Sequence, residues 1–144
     1  MQLEYIRQLN DQIIFSLERI AVLRSQAYPG AIVYDDTGAS KPMPTNKLER
    51  IFSQIDEEER RVNRLIDKRY ALKCQAIRAI QRSNLPVEAR HVLYLRYLAL
   101  DPVSRRNLSW SEVVYHVNRY HNIQRRRILQ LHHDAVLELN RHNM

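Results

Sequence analysis

The sequence predicts an all-α fold, and three observations support this prediction. The 144 residues include only 2 glycines and 5 prolines, too few turn-forming residues for a β-sandwich or a β-barrel. Apolar residues recur at helical spacing along residues 3–27 and 46–82, and neither stretch contains glycine or proline. The hydrophobic share of 44% and the charged share of 27% are typical of a folded globular chain. The length suits one domain or two small units.

Residues 1–82 are predicted to form a long antiparallel helical hairpin, like a short coiled coil. The first helix covers residues 3–27, and a loop over residues 28–45, which holds both glycines, follows it. Asn46 and Glu49 have the spacing of a capping box at the start of the second helix. Neither helix can bury its apolar stripe alone, so each is expected to pack on the other.

The apolar stripe on residues 46–82 is longer than its partner helix, since 37 residues face 25. The excess is expected to dock either on the C-terminal unit or on a second chain. The second alternative would make the protein a homodimer through the helical hairpin.

A second unit is predicted over residues 83–144. Pro86 suits the first turn of a third helix, because its missing N–H would have no partner there. This helix is expected from Val87 to about Leu100, where Asp101-Pro102 ends it. Residues 101–108 then form a basic loop.

Two further helices are predicted after this loop. Ser109 and Glu112 have capping-box spacing, so a short fourth helix should start at Trp110. Asn118 is expected to end it, because asparagine tolerates the left-handed conformation better than most residues. A fifth helix should begin within residues 120–124 and reach about residue 140.

The positive charge of the chain is concentrated in the second unit. The net charge is +7, and all nine basic residues of positions 83–144 are arginines. Six arginines face a single acid, Glu112, between Arg105 and Arg127. This pattern indicates a polyanionic partner, most commonly nucleic acid.

A short helix, a tight turn and a second helix rich in Arg and Gln are typical of a DNA-binding helix-turn-helix. On the fifth helix, Ile128, Leu131 and Ala135 define the buried face. Three side chains point away from it and are candidates for reading base edges: Asn122, Arg126 and Gln130. Five arginines are candidates for phosphate contacts: Arg105, Arg106, Arg119, Arg125 and Arg127.

Each of these assignments has a simpler alternative. The arginine triplet at 125–127 can instead be a solvated helix surface, and His133 can equally be ordinary surface. Leu129 also falls on the exposed side. It can contact a thymine methyl group, another helix or a protein partner.

Three segments resemble the DNA-binding region 4 of bacterial sigma factors. They are Leu85-Pro86 through Leu95-Arg96-Tyr97, Leu108 through Val113, and Leu131 through Leu139. With the N-terminal helices and the Pro/Gly loop, the chain resembles the ArpU-type late-gene regulators of phages and prophages. In two places it departs from that family, with Asn118 where the family has a turn glycine and about one extra helical turn between Val117 and Leu131.

The resemblance implies a role in transcription. Such a protein binds double-stranded DNA near a late promoter and activates packaging, structural or lysis genes together with host RNA polymerase. It implies no cofactor, and it places the protein in the cytoplasm of a bacterial host cell. The absence of an apolar stretch of about 20 residues agrees with a protein that has no membrane partner.

An enzyme is not expected. The chain has no Gly-rich phosphate loop and no HExxH motif, and its histidine pairs lack the i,i+3 or i,i+4 spacing of metal ligands. Cys74 and Trp110 are expected to be packed side chains. Two other functions stay open: a small terminase-like DNA-packaging component that acts as a ring, or a protein that binds RNA polymerase or sigma without its own DNA readout.

Overall fold

The computed structural model describes residues 3–27 and 45–142 of the chain. These residues form five α-helices: α1 (Leu3–Ala27), α2 (Thr45–Arg82), α3 (Val87–Leu93), α4 (Trp110–His121) and α5 (Arg125–His142). The predicted all-α fold is confirmed. β-pairing within the described part is limited to one bridge, between Leu100 and Asn107. No helix in these two ranges is long and apolar enough to cross a membrane.

The first two helices begin and end close to their predicted positions. α1 covers residues 3–27 as expected, whereas α2 begins at Thr45, so Asn46 lies one residue inside the helix. The predicted loop over residues 28–45 lies outside the described residues, apart from its last position.

The third helix ends earlier than predicted. Pro86 precedes α3 as its N-cap, and its carbonyl accepts the N–H of Arg90 at 3.0 Å. A π-helical turn, Tyr94–Leu98, continues α3, and the N–H of Ala99 closes it on the carbonyl of Tyr94 at 2.9 Å. The helical backbone thus ends at Leu98, two residues before the predicted end at about Leu100, because Ala99 already has an extended backbone with ψ 148°.

α1 and α2 pack as antiparallel neighbours. Lys68 Nζ lies 5.0 Å from the centre of the Tyr5 ring, while Arg24 forms an ion pair with Glu59 at 2.6 Å. The beginning of α1 therefore meets the later part of α2, and the end of α1 meets its earlier part. Seven buried side chains fill the space between the helices: Ile13, Ile20, Leu23, Ala27, Ile51, Ile55 and Val62.

A second core joins the hairpin to the C-terminal helices. Leu3 and Ile6 of α1 and Ala76 and Ile80 of α2 belong to it. Eight further buried residues complete it: Leu85, Ala89, Leu93, Tyr97, Leu98, Leu131, Ala135 and Leu139. The far end of the α2 stripe thus docks on the C-terminal unit, the first of the two alternatives that the sequence left open. The predicted boundary at residues 82–83 falls between α2 and α3, but this core passes across it.

The loop over residues 101–108 docks on α1. The side-chain amide of Asn10, which is buried, donates to the carbonyl of Arg105 at 3.1 Å. The amide of Asn107 donates to the carbonyl of Arg7 and to Asp11 Oδ1, both at 3.0 Å. Arg106 forms an ion pair with Glu18. These contacts fix the loop on the hairpin.

The loop is also closed internally. The backbone N–H groups of Ser104 and Val103 donate to Asp101 Oδ1, and because these bonds favour the carboxylate they lower the pKa of Asp101. Arg105 takes a left-handed backbone conformation with φ 61°. The loop is therefore a compact turn rather than an extended basic strand.

Candidate nucleic-acid interface

α4 and α5 rest on a small core of their own. Val113 and Val117 of α4 and Ile128 of α5 are fully buried, as is Val92 of α3, and Leu108 is buried beside them. Ser109 caps α4, since its Oγ accepts the N–H of Glu112 at 3.3 Å. Ser109 is thus the N-cap of α4, and the predicted start of this helix at Trp110 is confirmed.

α4 ends one helical turn later than predicted. Asn122, with φ 54° and ψ 45°, takes the left-handed conformation, and its N–H donates to the carbonyl of Asn118 at 2.8 Å. The prediction that Asn118 ends the helix was wrong. Asn118 lies inside α4, and its side-chain amide donates to the carbonyl of Ile123 at 2.9 Å. Asn118 therefore holds the turn without forming its left-handed residue.

The turn between α4 and α5 is short. Residues 122–124 separate the two helices, and α5 begins at Arg125, one residue after the predicted range. Asn122 therefore lies in the turn and not on α5, which corrects its predicted place on the helical wheel. Ile123 packs against two of the cores and anchors the turn.

The faces of α5 agree with the sequence prediction. Ile128, Leu131 and Ala135 are buried, while Arg126 and Gln130 are exposed on the opposite side. The amide of Gln130 donates to Asp134 Oδ1 at 2.9 Å, so that this amide already has a partner within the helix. His133 is exposed, and Leu129 is exposed close to the arginines.

The first turn of α5 holds the densest positive charge. Arg125, Arg126 and Arg127 are consecutive and exposed, and the turn contains no acid. Within residues 3–27 and 45–142, no ion pair engages any of the three. Cations at a helix N-terminus oppose the helix dipole, at a cost of about 0.3–1 kcal/mol each. Free N–H groups and three guanidinium groups together favour a bound anion.

The other candidate arginines lie on two different elements. Arg119 is exposed in the last turn of α4, close in sequence to the turn. Arg105 and Arg106 belong to the loop that docks on α1, where Arg106 is already paired with Glu18. The six arginines counted in the sequence thus divide into four around the α4–α5 junction and two on the docked loop.

Acidic side chains limit this positive region along α5. Asp134 and Glu138 lie in the second half of the helix. Arg141 lies 4.0 Å from Glu138, its i−3 neighbour. The basic surface is therefore confined to the first two turns of α5 and the end of α4.

Two tyrosines beside this surface were not among the sequence-predicted site residues. Tyr115 and Tyr120 of α4 are largely exposed, on the same helix as Arg119. Their exposure near Arg119 makes them candidates for the same surface. The helical pattern of the sequence could not show this, because it does not separate an exposed tyrosine from a packed one.

Two of the histidines are structural. His91 Nδ1 and His121 Nε2 lie 3.1 Å apart and share a hydrogen bond between α3 and α4. Burial, followed by the charges of His121 and His116, lowers the pKa of His91. His91 is therefore neutral at pH 7, and the pair holds the end of α4 against α3.

A second histidine contact joins α5 to the π-helical turn that follows α3. His132 Nε2 shares a 2.6 Å hydrogen bond with the Tyr97 hydroxyl, and the two rings stack. Burial, followed by the charge of Arg96, lowers the pKa of His132. The Trp110 ring packs edge-on against the His132 ring, with 4.7 Å between the ring centres. The guanidinium carbon of Arg96 lies 4.4 Å from the centre of the Trp110 ring. Trp110 is thus the packed anchor that the sequence predicted.

The part of the chain described by the structure offers no group of three or more His, Cys, Asp or Glu side chains that could hold a metal ion. An open groove of about 400 Å³ lies between α2 and α3 and is lined mainly by apolar side chains, with Arg90 and His91 at its edge. Cys74 is a half-buried free thiol on α2.

The chain was compared with protein-family models, with curated protein sequences and with solved structures, and none of the three comparisons produced a match.

Proposed function

We propose that the protein binds double-stranded DNA through α4 and α5 and regulates transcription. The observation that carries the proposal is the first turn of α5, where three exposed arginines have no acidic partner among the described residues. Their charge opposes the helix dipole, and a DNA phosphate backbone would remove this unfavourable interaction.

In this proposal α5 enters the major groove with its N-terminal turns. Helix-turn-helix proteins contact base edges with the first residues of their second helix. Arg126 suits a guanine edge, because it projects directly away from the buried face of α5. Gln130, one turn later, suits an adenine edge once its amide exchanges Asp134 for the base. Asn122 would contact DNA from the turn that precedes the helix.

Phosphate contacts are assigned to the flanking arginines. Arg125 and Arg127 lie on the two sides of the Arg126 direction, and Arg119 approaches from the end of α4. Arg105 and Arg106 would contact the backbone from the docked loop. Arg106 is expected to contribute less, because DNA must compete with Glu18 for its guanidinium.

The biological setting is proposed from the resemblance alone. A phage or prophage regulator of the ArpU type would act in the cytoplasm of its bacterial host on late packaging or lysis promoters, with host RNA polymerase. DNA binding can be tested without this setting, because it depends only on the residues of α5.

The experiment measures binding of the full chain to duplex DNA from upstream of its own gene and to an unrelated duplex, over a range of salt concentrations. Arg126→Ala should weaken binding to the specific duplex by about 1–3 kcal/mol and reduce the preference between duplexes. Arg127→Ala should weaken binding to both duplexes alike and reduce the salt slope by about one unit.

Arg141→Ala is the matched control, because Arg141 is an exposed arginine on the same helix that lies beside Glu138, far from the first turn. Its affinity should equal that of the unchanged protein. Absence of salt-dependent binding to any duplex, or an equal loss in the Arg141 variant, would contradict the proposal.

A further inference from the structure

The groove between α2 and α3, here called the α2–α3 groove, has walls from both helices. Its volume is about 400 Å³, and it opens to the solvent. Ile77 and Ile80 form the wall on α2. No acid is among the described residues that line the groove. The facing wall, on α3 and the start of the π-helical turn, is formed by Val87, Arg90, His91 and Tyr94.

Helical spacing explains why α3 presents this wall. Positions 87, 90, 91 and 94 follow the i, i+3, i+4 and i+7 spacing, which places them on one side of the helix. Ala89, Val92 and Leu93 lie on the other side and are buried in the cores. Val87 and Tyr94 consequently line the groove and stay 66% and 44% exposed.

Arg90 places a positive charge at the edge of the groove. Its Nη2 donates to the carbonyl of Ser83 at 2.9 Å, and this bond holds the guanidinium near the end of α2. Its Nε is buried and has no hydrogen-bond partner among the described residues. No ion pair engages Arg90 within residues 3–27 and 45–142. A buried N–H of a charged group is unfavourable without an acceptor, so Arg90 favours a ligand that supplies one.

His91 adds a second polar group next to Arg90. Its Nδ1 shares the hydrogen bond with His121, which leaves Nε2 outside that bond. Ile77, Ile80 and Val87 are apolar. The groove therefore combines apolar walls with a positive charge at one edge, an arrangement that suits a molecule with an apolar body and one anionic end.

We propose that the α2–α3 groove binds a small carboxylic acid with an apolar body. The carboxylate pairs with Arg90, and the apolar body covers Ile77, Ile80 and Val87. Small-molecule sites are typically clefts of about 300–1,000 Å³ with mainly apolar walls and a few polar groups that fix the orientation of the ligand. Guanidinium and carboxylate groups form short, charge-assisted hydrogen bonds, which makes a carboxylate the matching anionic end.

The limited apolar surface favours a small molecule over a helix of a partner protein. A partner helix bound in a groove uses apolar anchors along about two turns. Arg78, Arg82 and Asn84, close to the groove in sequence, are exposed and polar, so the apolar surface stops at the end of α2. The two arginines also attract an anion to this region.

The inference does not depend on DNA binding. It concerns residues of α2, α3 and the π-helical turn, and the ligand is measured without DNA.

A methyl NMR titration of the full chain with octanoate, below its micelle concentration, tests the proposal. The methyl signals of Ile77, Ile80 and Val87 should shift together and saturate, as a single site requires. 1-Octanol has a chain of the same length without the carboxylate, and its dissociation constant should be at least about tenfold higher. Saturable shifts confined to other methyl groups, or equal affinity for the two molecules, would overturn the proposal.

Two variants test the role of charge. Arg90→Gln should raise the dissociation constant for octanoate at least about tenfold, because it removes the partner of the carboxylate. Val87→Glu, at an exposed position, places a negative charge at the groove and should weaken octanoate binding by a similar factor, while 1-octanol binding changes less. This difference separates the loss of charge pairing from a loss of folding, since a misfolded groove would bind neither molecule.

Arg78→Gln is the matched control, because Arg78 is an exposed arginine that follows Ile77 in sequence but does not line the groove. This variant should bind octanoate as the unchanged protein does. An equal loss of affinity in the Arg78 and Arg90 variants would show that octanoate responds only to the overall charge, and would overturn the proposal. The absence of any saturable shift in the unchanged protein would also overturn it.

Discussion

The left-handed backbone of Asn122 determines where α4 ends. For most residues this conformation is about 1–2 kcal/mol less favourable than the right-handed helical one, whereas asparagine and glycine adopt it at lower cost. Asn118, four residues earlier, has ordinary helical surroundings and uses its side chain to hold the carbonyl of Ile123. Two asparagines one turn apart therefore have different structural roles.

Glycine substitutions distinguish these two roles. Asn122→Gly should leave the free energy of unfolding nearly unchanged, because glycine tolerates a positive φ. Asn118→Gly should lower it by about 1–2 kcal/mol, because glycine in a helix interior is unfavourable and the bond to Ile123 is lost. Urea denaturation followed by circular dichroism measures both. The opposite order of the two effects would place the end of α4 at Asn118.

The sequence could not decide between the two asparagines. After Val117, the next apolar residue that reaches a core is Ile123, so the period of the pattern does not mark the end of the helix. The extra turn is instead held by the contact of His121 with His91, thirty residues away in sequence. A contact between distant residues cannot be read from local periodicity.

At the scale of the helices, the His91–His121 hydrogen bond joins α3 to the last turn of α4. One imidazole must donate and the other accept, so the bond needs at least one neutral ring, and two protonated rings would repel each other. His91 also contacts the Tyr120 ring, with 5.7 Å between the ring centres, and the more distant charge of His116 acts on it. The charges of His121 and His116 both disfavour a protonated His91.

The stability of the protein should therefore fall on acidification. The pKa of His91 in the folded protein lies below its ordinary value of 6.5, so the unfolded chain binds the proton more tightly. The contribution to stability is complete above pH 6.5 and is lost as the pH falls through the lower pKa of the folded state. His132, whose pKa is also lowered, acts in the same direction.

Chemical denaturation at a series of pH values between about 7.5 and 5 measures this effect. A His91→Gln variant keeps a hydrogen-bonding group but cannot titrate, so its free energy of unfolding should change less over this range. Val103→Ser, at a 92% exposed position whose side chain does not titrate, should keep the full pH dependence of the unchanged protein. Equal pH dependence in the His91 variant would show that this pair does not titrate with folding.

The helices differ in how far their sequences predict them. The buried face of α5 follows from the spacing of Ile128, Leu131 and Ala135, which a helical period reveals directly. The docking of the loop at 101–108 depends on amide groups such as Asn10 and Asn107, whose partners lie 95 to 100 residues away. Polar residues of this kind look like ordinary surface in a sequence.

At the scale of the whole molecule, the hairpin and the C-terminal helices share one core. Ser83, Asn84 and Pro86 interrupt the helical pattern and so mark a local break in the sequence. The break does not divide the core, because Leu3 and Ile6 of α1 belong to the same buried cluster as Leu131 and Ala135 of α5. The protein should therefore unfold as a single cooperative unit.

Ile6→Ala tests this cooperation. Ile6 is 2% exposed, and its truncation should lower the free energy of unfolding by about 2–4 kcal/mol. Trp110 is the single tryptophan and lies in the C-terminal half, so its fluorescence reports on that half, whereas circular dichroism reports on all helices. In the unchanged protein and in the variant, the two signals should give the same midpoint, shifted together by the substitution.

Ile20→Ala makes the test stricter, because Ile20 belongs only to the core between α1 and α2. If the shared core couples the two halves, this distant truncation should still lower the midpoint of the Trp110 transition. If the halves unfold separately, circular dichroism should show an early partial transition while the fluorescence midpoint stays unchanged. That second result would mean that the contacts of Leu3 and Ile6 are too weak to pass the loss of stability from the hairpin to the C-terminal helices. The two parts would then be independent folding units.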